Sequence, residues 1–370
     1  MSIRTLTTRE LNRATLARQM LLERAPLTIP EGVERLAGMQ SQALSAPYIG
    51  LWTRLQTFDR AEMTRLIRER TLVKATLMRA TLHLFTAADY LRFRSTIQPA
   101  LDVSLTAVTG NRDKSGFDPA VVLEEGRAFL AETPRTFADI TAQFSARYPT
   151  ADIGSIRYML RTQIPLVVVP DGGAWAYPGN PKFTLAETWL AQPIPQAPAL
   201  RELVLRYLAA FGPATVSDAQ TWSGLSKLKE VFEALRLELV TYKEEGGRAE
   251  YFDLPNQAIP DADTPAPVRF LPEFDNLLLS HAKRTRIISD QYRDRIFGSG
   301  NLRISATILV DGFVAGLWTV ESAKKTAALV IAPFVPLAPA DRDALTEEGE
   351  RLIRMIDPEA KTHEVRWKDV

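Results

Sequence analysis

The sequence predicts an α+β fold, mainly helical, in which three similar units are followed by a small β-rich C-terminal domain. Three observations carry this. The order helix, helix, helix, hairpin recurs three times along the chain with little identity between the copies. Two proline-rich connectors bracket the third copy. Beyond the second connector, apolar and polar residues alternate at a period of two around the pair Asp311-Gly312, a strong hairpin-turn signal.

The first unit occupies residues 1–115. Helical patterns near 7–22, 30–39 and 59–69 precede LVKATLMRATLHLFTA, two strand-like runs that form a hairpin. Between them, Ser45, Pro47 and Gly50 disfavour helix, which leaves residues 40–42 extended or irregular. The second unit, 116–180, begins with VVLEEGRAFLAE. It continues through a helix opened by the capping pair Thr136 and Asp139 and a third helix from near Asp152. Its hairpin is IPLVVV and AWAYP around the turn residues PDGG. Residues 181–199 read as a linker, because clustered proline opposes helix and stiffens an extended chain. The third unit, 200–256, runs from RELVLRYLAAF through VSDAQTWSG and SKLKEVFEAL into LELVTYKEEGGRAEYFDL, a hairpin turning at EEGG. Residues 257–370 comprise the second connector, LPNQAIPDADTPAPVRFLP, and the C-terminal domain. In that domain LRISATILV, FVAGLWTV and TAALVIAPF are strands and about Ala340 to Ile356 a closing helix.

Three helices followed by a β-ribbon wing constitute the winged-helix form of the helix-turn-helix. Its last helix can enter the major groove while the wing meets backbone or minor groove. Three tandem winged-helix units are therefore predicted. Such units also pack against proteins, so the fold alone leaves function open.

Composition narrows the classes. A chain of 370 residues that is 46% hydrophobic can bury two or three cores. No run approaches the ~18 to 20 apolar residues of a membrane span, and MSIRTLTTRELNR lacks the apolar core of a secretory signal. With no cysteine, disulfides, thiolate nucleophiles and cysteine-bound zinc are excluded, and a cytoplasmic location is expected. The net charge of +1 hides an asymmetry. Residues 1–100 hold 15 Lys and Arg against 8 Asp and Glu, and the remainder is net acidic. A second basic cluster, Lys283, Arg284, Arg286, Arg293, Arg295 and Arg303, is offset by Asp290 and Asp294 alone. It is either a binding surface or a solvated face. The three histidines, His83, His281 and His363, are not spaced as metal ligands, and no dinucleotide, nucleotide or hydrolase motif is present, so no metal or cofactor is expected. His83, between Leu82 and Leu84 in a strand-like run, reads as a structural histidine; His281 lies beside the basic cluster.

One short stretch invites a chemical role. GMQSQALSAPYIGLWTRL places Gln40 and Gln42 two positions apart among small and apolar residues. On a helix such a pair points to roughly opposite sides, whereas in extended chain both project to one face. A joint function therefore requires extended backbone here. The alternative is that the two amides satisfy backbone groups at a helix end or lie in solvent.

GMQSQALSAPYIGLWTRL, TLVKATLMRATLHLFTAADY and FLPEFDNLLLSHAKRTRII occur in the order and approximate spacing of a known family. Through them the chain resembles the bacterial winged-helix DNA glycosylases typified by the azinomycin-resistance, interstrand-crosslink-unhooking enzyme. The resemblance covers most of the chain. It implies three tandem winged-helix units curved around a DNA-sized channel, followed by a β-barrel-like domain. It also implies that Gln40 and Gln42 are the catalytic pair. Ser41 departs from the family, which has an aliphatic residue there; by alternation it faces away from the amides.

The implied activity is a monofunctional DNA glycosylase acting on N7-alkylated purines, with interstrand crosslinks as an extension. Alkylation makes the base a cationic leaving group, so two neutral amides that position water and stabilise an oxocarbenium-like sugar suffice. Glu34 and Asp59 are possible helpers. Lys74, Arg79, His281, Lys283, Arg284 and Arg286 are the candidate nucleic-acid-binding residues, contributing affinity rather than base identity. The expected partner is double-stranded DNA bearing alkylated bases, with no membrane and no obligate protein partner. The rival readings are a non-catalytic winged-helix DNA-binding protein or transcriptional regulator, and a protein that sequesters a DNA-reactive small molecule in an apolar pocket.

Overall fold

The computed structural model describes residues 3–110, 116–298, 303–323 and 325–369. The predicted end of the first unit at 115, and Leu302 at the start of LRISATILV, lie outside the described residues.

A short strand β1 (Thr5–Leu6) leads to α1 (Thr8–Arg18), closed by a reciprocal Thr7–Glu10 capping box, and α2 (Ile29–Arg35) is capped in the same way by Thr28 and Glu31. Strand β2 is Met39–Gln40. It is followed by a helix that the sequence reading disfavoured, α3 (Ala46–Trp52). Pro47 lies in its first turn, where a backbone N–H has no intrahelical acceptor, so proline costs nothing there. Helix α4 (Arg60–Arg68) begins at Asp59, and strands β3 (Leu72–Thr76) and β4 (Leu82–Thr86) form the predicted hairpin. A further helix, α5 (Ala87–Thr109), is absent from the expected scheme. Its Tyr90, Phe93, Ile97 and Leu101 are buried at helical spacing, while its internal Pro99 sits on the exposed side.

The second stretch contains α6 (Pro119–Glu132), β5 (Arg135–Thr136), α7 (Phe137–Arg147) and α8 (Ile153–Gln163). The Thr136–Asp139 box opens α7 and Asp152 caps α8, as expected. Its hairpin pairs β6 (Leu166–Val168) with β7 (Lys182–Leu185), not with AWAYP. The predicted linker over 181–199 is thus partly ordered element, since it holds β7 and α9 (Ala186–Leu190). The proline density masked a strand whose Phe183 and Leu185 are buried.

The third stretch has α10 (Leu200–Phe211), α11 (Val216–Ser223), α12 (Lys229–Leu235) and the predicted hairpin β8 (Val240–Glu244) and β9 (Glu250–Asp253). The C-terminal part comprises β10 (Arg269–Leu271), α13 (Arg293–Ile296), β11 (Thr307–Val310), β12 (Phe313–Ala323), β13 (Thr326–Pro333), α14 (Pro339–Ile356) and β14 (Thr362–Trp367). Asp311 and Gly312, both at positive φ, turn β11 into β12 as predicted.

Three sheets organise these elements. The first two hairpins merge into one six-stranded sheet of order β2-β4-β3-β6-β7-β5, joined antiparallel at Ala75 and Val167. The third hairpin instead recruits β1, which pairs parallel with β8. The C-terminal sheet runs β10-β11-β12-β13-β14 and is open, not a closed barrel. The physical reason is α14: it carries the chain across so that β14 adds parallel to β13, leaving β10 and β14 at opposite edges.

The cores cross the unit boundaries. Phe93 and Ile97 of α5 share one cluster with Tyr207, Phe211, Trp222 and Phe232, so the third stretch packs on the first. Two buried ion pairs add specific long-range ties. Arg18 grips Asp253 through both oxygens at 2.6 and 2.7 Å, and Arg54 grips Asp275 at 2.8 and 2.9 Å. Removing one partner of such a pair strands a buried charge and typically costs about 3 to 5 kcal/mol.

Candidate active site

Gln40 lies on β2, the edge strand that pairs antiparallel with β4, where it stands opposite His83. The pairing extends one residue beyond the strand, because the Ser41 N–H donates to the Leu82 carbonyl at 2.7 Å. The chain enters β2 through Gly38 at φ +81, where an added Cβ would come within 2.1 Å of the Phe85 ring. Only glycine suits that entry. Gln40 and Ser41 are buried, and Gln42, just past the pairing, is exposed.

The Gln40 side chain is held by Arg79. A guanidinium has donors only, so the amide oxygen must face it, and Oε1 accepts from Arg79 Nη2 at 2.8 Å. Arg79 sits at the tip of the β3–β4 hairpin, with φ +53, followed by Ala80 at φ +56. Two consecutive non-glycine residues in the left-handed region are costly and persist only where surroundings over-determine them. Those surroundings are visible. Arg79 Nη1 also donates to the Trp222 carbonyl on α11, and Arg161 of α8 donates to the Ala80 carbonyl. Burial pushes the Arg79 guanidinium down to about 10, with the positive charge of Arg284 adding to the effect. It remains a cation at neutral pH.

Behind the glutamine strand runs the loop that follows β10. Asn276 Nδ2 donates to the Gly38 carbonyl at 3.1 Å, and Asp275 is locked to Arg54, which also donates to the Gly50 carbonyl of α3. Asn276 Oδ1 is buried without a partner and, with Gln40, Pro272 and Phe274, borders a space of about 10 Å³. That is roughly the volume of one water molecule and far below that of a purine.

The remaining candidates separate into two groups. Lys74, His281 and Arg286 are buried, and for them the expected phosphate contact gives way to a structural role. The Lys74 ammonium stands 5.1 Å from the Tyr177 ring centre, and burial pushes it down to about 8. His281 Nε2 meets the Phe211 carbonyl at 3.0 Å, and burial pushes the imidazole down to about 3, so it is neutral. Arg286 donates to the Pro213 carbonyl at 2.9 Å and to Thr15. Lys283 and Arg284 form the second group. Lys283 is exposed and paired with Glu244 at 3.0 Å, and Arg284 is half-buried against the Phe297 ring with Nε and Nη1 unpaired.

His83, read as structural, is fully buried, with Nδ1 at 3.1 Å from the Thr81 carbonyl and Nε2 without a partner. Of the two acidic helpers, Glu34 accepts from Thr86 at 3.0 Å, and Asp59 caps α4 through the Ala61 N–H at 2.8 Å. Both are occupied by structural bonds. The link between Arg79 and Gln40 was not foreseen. Its one sequence signal was the short MRA tip between two strands of strictly paired length.

Residues 33–355 match the family model of the AlkZ-like DNA glycosylases. The chain belongs to that family. It is accordingly a DNA glycosylase, a hydrolase of N-glycosyl bonds. A curated relative, the interstrand DNA cross-link repair glycosylase of Streptomyces sahachiroi, is 26% identical over 358 residues, which span 91% of this chain and 93% of the relative. The solved structure of the Streptomyces sahachiroi DNA glycosylase AlkZ superposes with a TM-score of 0.77 at 23% identity, covering 98% of this chain and all of that one, and so shares its fold. Among the described residues no helix is long and apolar enough to cross a membrane.

Proposed function

We propose that this glycosylase hydrolyses the N-glycosidic bond of N7-alkylated purines in double-stranded DNA, with Gln40 and Gln42 as its catalytic pair. The single observation that carries the reading is the 2.8 Å bond from Arg79 to Gln40 Oε1. It fixes and polarises one amide on an edge strand, with the exposed Gln42 two residues on. The N7-alkylated base leaves with the electron pair of the C1′–N9 bond and departs neutral. The protein's task is to orient water and tolerate a cationic sugar, which pre-positioned neutral amides do.

The three helix-and-hairpin stretches act as tandem winged-helix units that embrace the duplex, with domain limits at 1–115, 116–180, 200–256 and 257–370. Lys283 and Arg284 meet the phosphate backbone, whereas Arg79, expected to do so, holds Gln40 and the Trp222 carbonyl instead. In this reading the base is attacked in or near the stack and is not drawn into a closed pocket. An open site tolerates bulk, and the curated relative is named for repair of interstrand cross-links. Crosslink unhooking belongs to this proposal on that basis.

The test is release of free base from matched duplexes carrying N7-methylguanine or a much larger N7 adduct, in single turnover. The expected outcome is excision of both at rates within about tenfold, a barrier difference of roughly 1.4 kcal/mol. Action on the methyl lesion alone would mean a closed pocket and remove crosslinks from the substrate range. Release of neither base would overturn the substrate assignment.

A further inference from the structure

Neutral amides orient the water and tolerate the cationic sugar, and a negative group facing that sugar stabilises its developing charge further. We infer that Glu273 is a further catalytic residue, the carboxylate that lies against the developing oxocarbenium and takes the proton of the attacking water. The inference rests on the proposal that cleavage occurs at Gln40 and Gln42.

Placement is the first argument. Glu273 belongs to the loop after β10 that is bolted to the glutamine segment from both sides. Asn276 bonds the Gly38 carbonyl, two residues before Gln40, and Asp275 pairs with Arg54, which lies just past the end of α3 and twelve residues after Gln42. Its neighbours Pro272 and Phe274 border the water-sized space at Gln40. Glu273 itself lines a separate cavity of about 370 Å³ together with Ala43 and Ser45, which follow Gln42. The loop thus runs beside the glutamine segment, and Glu273 opens into a cavity it shares with Ala43 and Ser45, which follow Gln42. Phe274 holds φ +59, a conformation a bulky residue adopts only under constraint.

Availability is the second. Asp275 is consumed by Arg54, Glu34 by Thr86 and Asp59 by the start of α4. Among the described residues Glu273 is half-buried and carries no side-chain hydrogen bond or ion pair. A half-buried carboxylate without a partner, on a rigid loop, is poised for a cation that arrives with the substrate. The cavity it lines has aromatic walls, Trp175 and Trp318, and a second polar end at Arg303.

The step balances. The C1′–N9 bond breaks and its electron pair neutralises the cationic base. Water oxygen bonds C1′, and the proton it sheds goes to the Glu273 carboxylate.

The test uses the full chain and E273Q, which keeps size and removes charge. Two readouts are paired: single-turnover release of N7-methylguanine, and affinity for duplexes holding either a cationic pyrrolidine abasic analogue or its neutral tetrahydrofuran counterpart. A group that stabilises the oxocarbenium binds its cationic mimic preferentially. The expected result is excision slowed by roughly 10²-fold with duplex affinity unchanged, and loss of the preference for the cationic analogue. E273D, which retains the charge, keeps that preference. A purely structural role would not distinguish the two analogues. Wild-type excision and preference in E273Q, or loss of the preference in E273D as well, would overturn the role of Glu273 and leave the glutamine site standing. A wild-type chain that released no base and ignored the analogue's charge would instead overturn the proposed function.

Discussion

Lys74 shows how far a single residue can depart from its appearance in the sequence. In LVKAT a lysine between β-formers reads as the solvent-facing member of a strand, available to phosphate. All five residues of β3 are buried, because the strand is central, flanked by β4 and β6. The ammonium is left with the Tyr177 face, and burial pushes it down to about 8 from an ordinary lysine value. The sign follows from linkage. Between about 8 and the unfolded lysine value the unfolded chain binds more protons, so this group's contribution to stability rises with pH there and is unfavourable below it. K74M is therefore expected to be more stable than wild type at pH 7, by roughly 1 to 3 kcal/mol, with the difference shrinking toward pH 10. Urea unfolding of both proteins at the two pH values checks it; a difference independent of pH would mean that packing, not charge, decides.

At the scale of elements, the hairpin of β3 and β4 does more than pair strands. Its tip delivers Arg79 to two acceptors at once, the Gln40 amide oxygen and the Trp222 carbonyl of α11, so the glutamine strand, the first hairpin and the third helical stretch meet in one guanidinium. Lysine cannot span two acceptors in that fixed fork. R79K is expected to lower kcat by about tenfold with little change in KM, since Gln40 loses its fixed orientation while the surface that meets DNA is kept. Equal falls in kcat/KM and affinity with kcat intact would assign Arg79 to DNA binding alone.

This junction also marks where the sequence stopped being legible. The first and third hairpins, the Thr136–Asp139 capping box and the Asp311-Gly312 turn were readable because each depends on residues within a few positions. Helix α3 was missed because Pro47 was weighed as a breaker without asking whether it lay in a first turn. Strand β7 was hidden by neighbouring prolines, and β14 pairs with a strand across an intervening helix. The glutamine pair was found only through spacing and family likeness. Its partners, Arg79 and the 272–276 loop, depend on contacts of 39 or more positions, which no local pattern encodes.

For the whole molecule, the basic character read from charge counts resolves into inside and outside. Arg286 and His281 hold the third helical stretch against the C-terminal part, while Lys283 and Arg284 remain near the surface. In the K283A R284A variant the slope of log affinity against log salt is expected to fall by about one per lost phosphate contact, equally for every sequence. Fluorescence titration across salt concentrations reads this directly, and an unchanged slope would make the pair a solvated face. On the proposed function, the fold holds two amides, Gln40 and Gln42, against an alkylated nucleotide. Single-turnover release of N7-methylguanine by Q40A, Q42A and the double variant, with duplex affinity measured alongside, addresses it most directly. Each single change is predicted to slow excision by roughly tenfold or more at nearly unchanged affinity, and the double change to abolish detectable release. Wild-type excision by the double variant would leave the two glutamines with a structural role only.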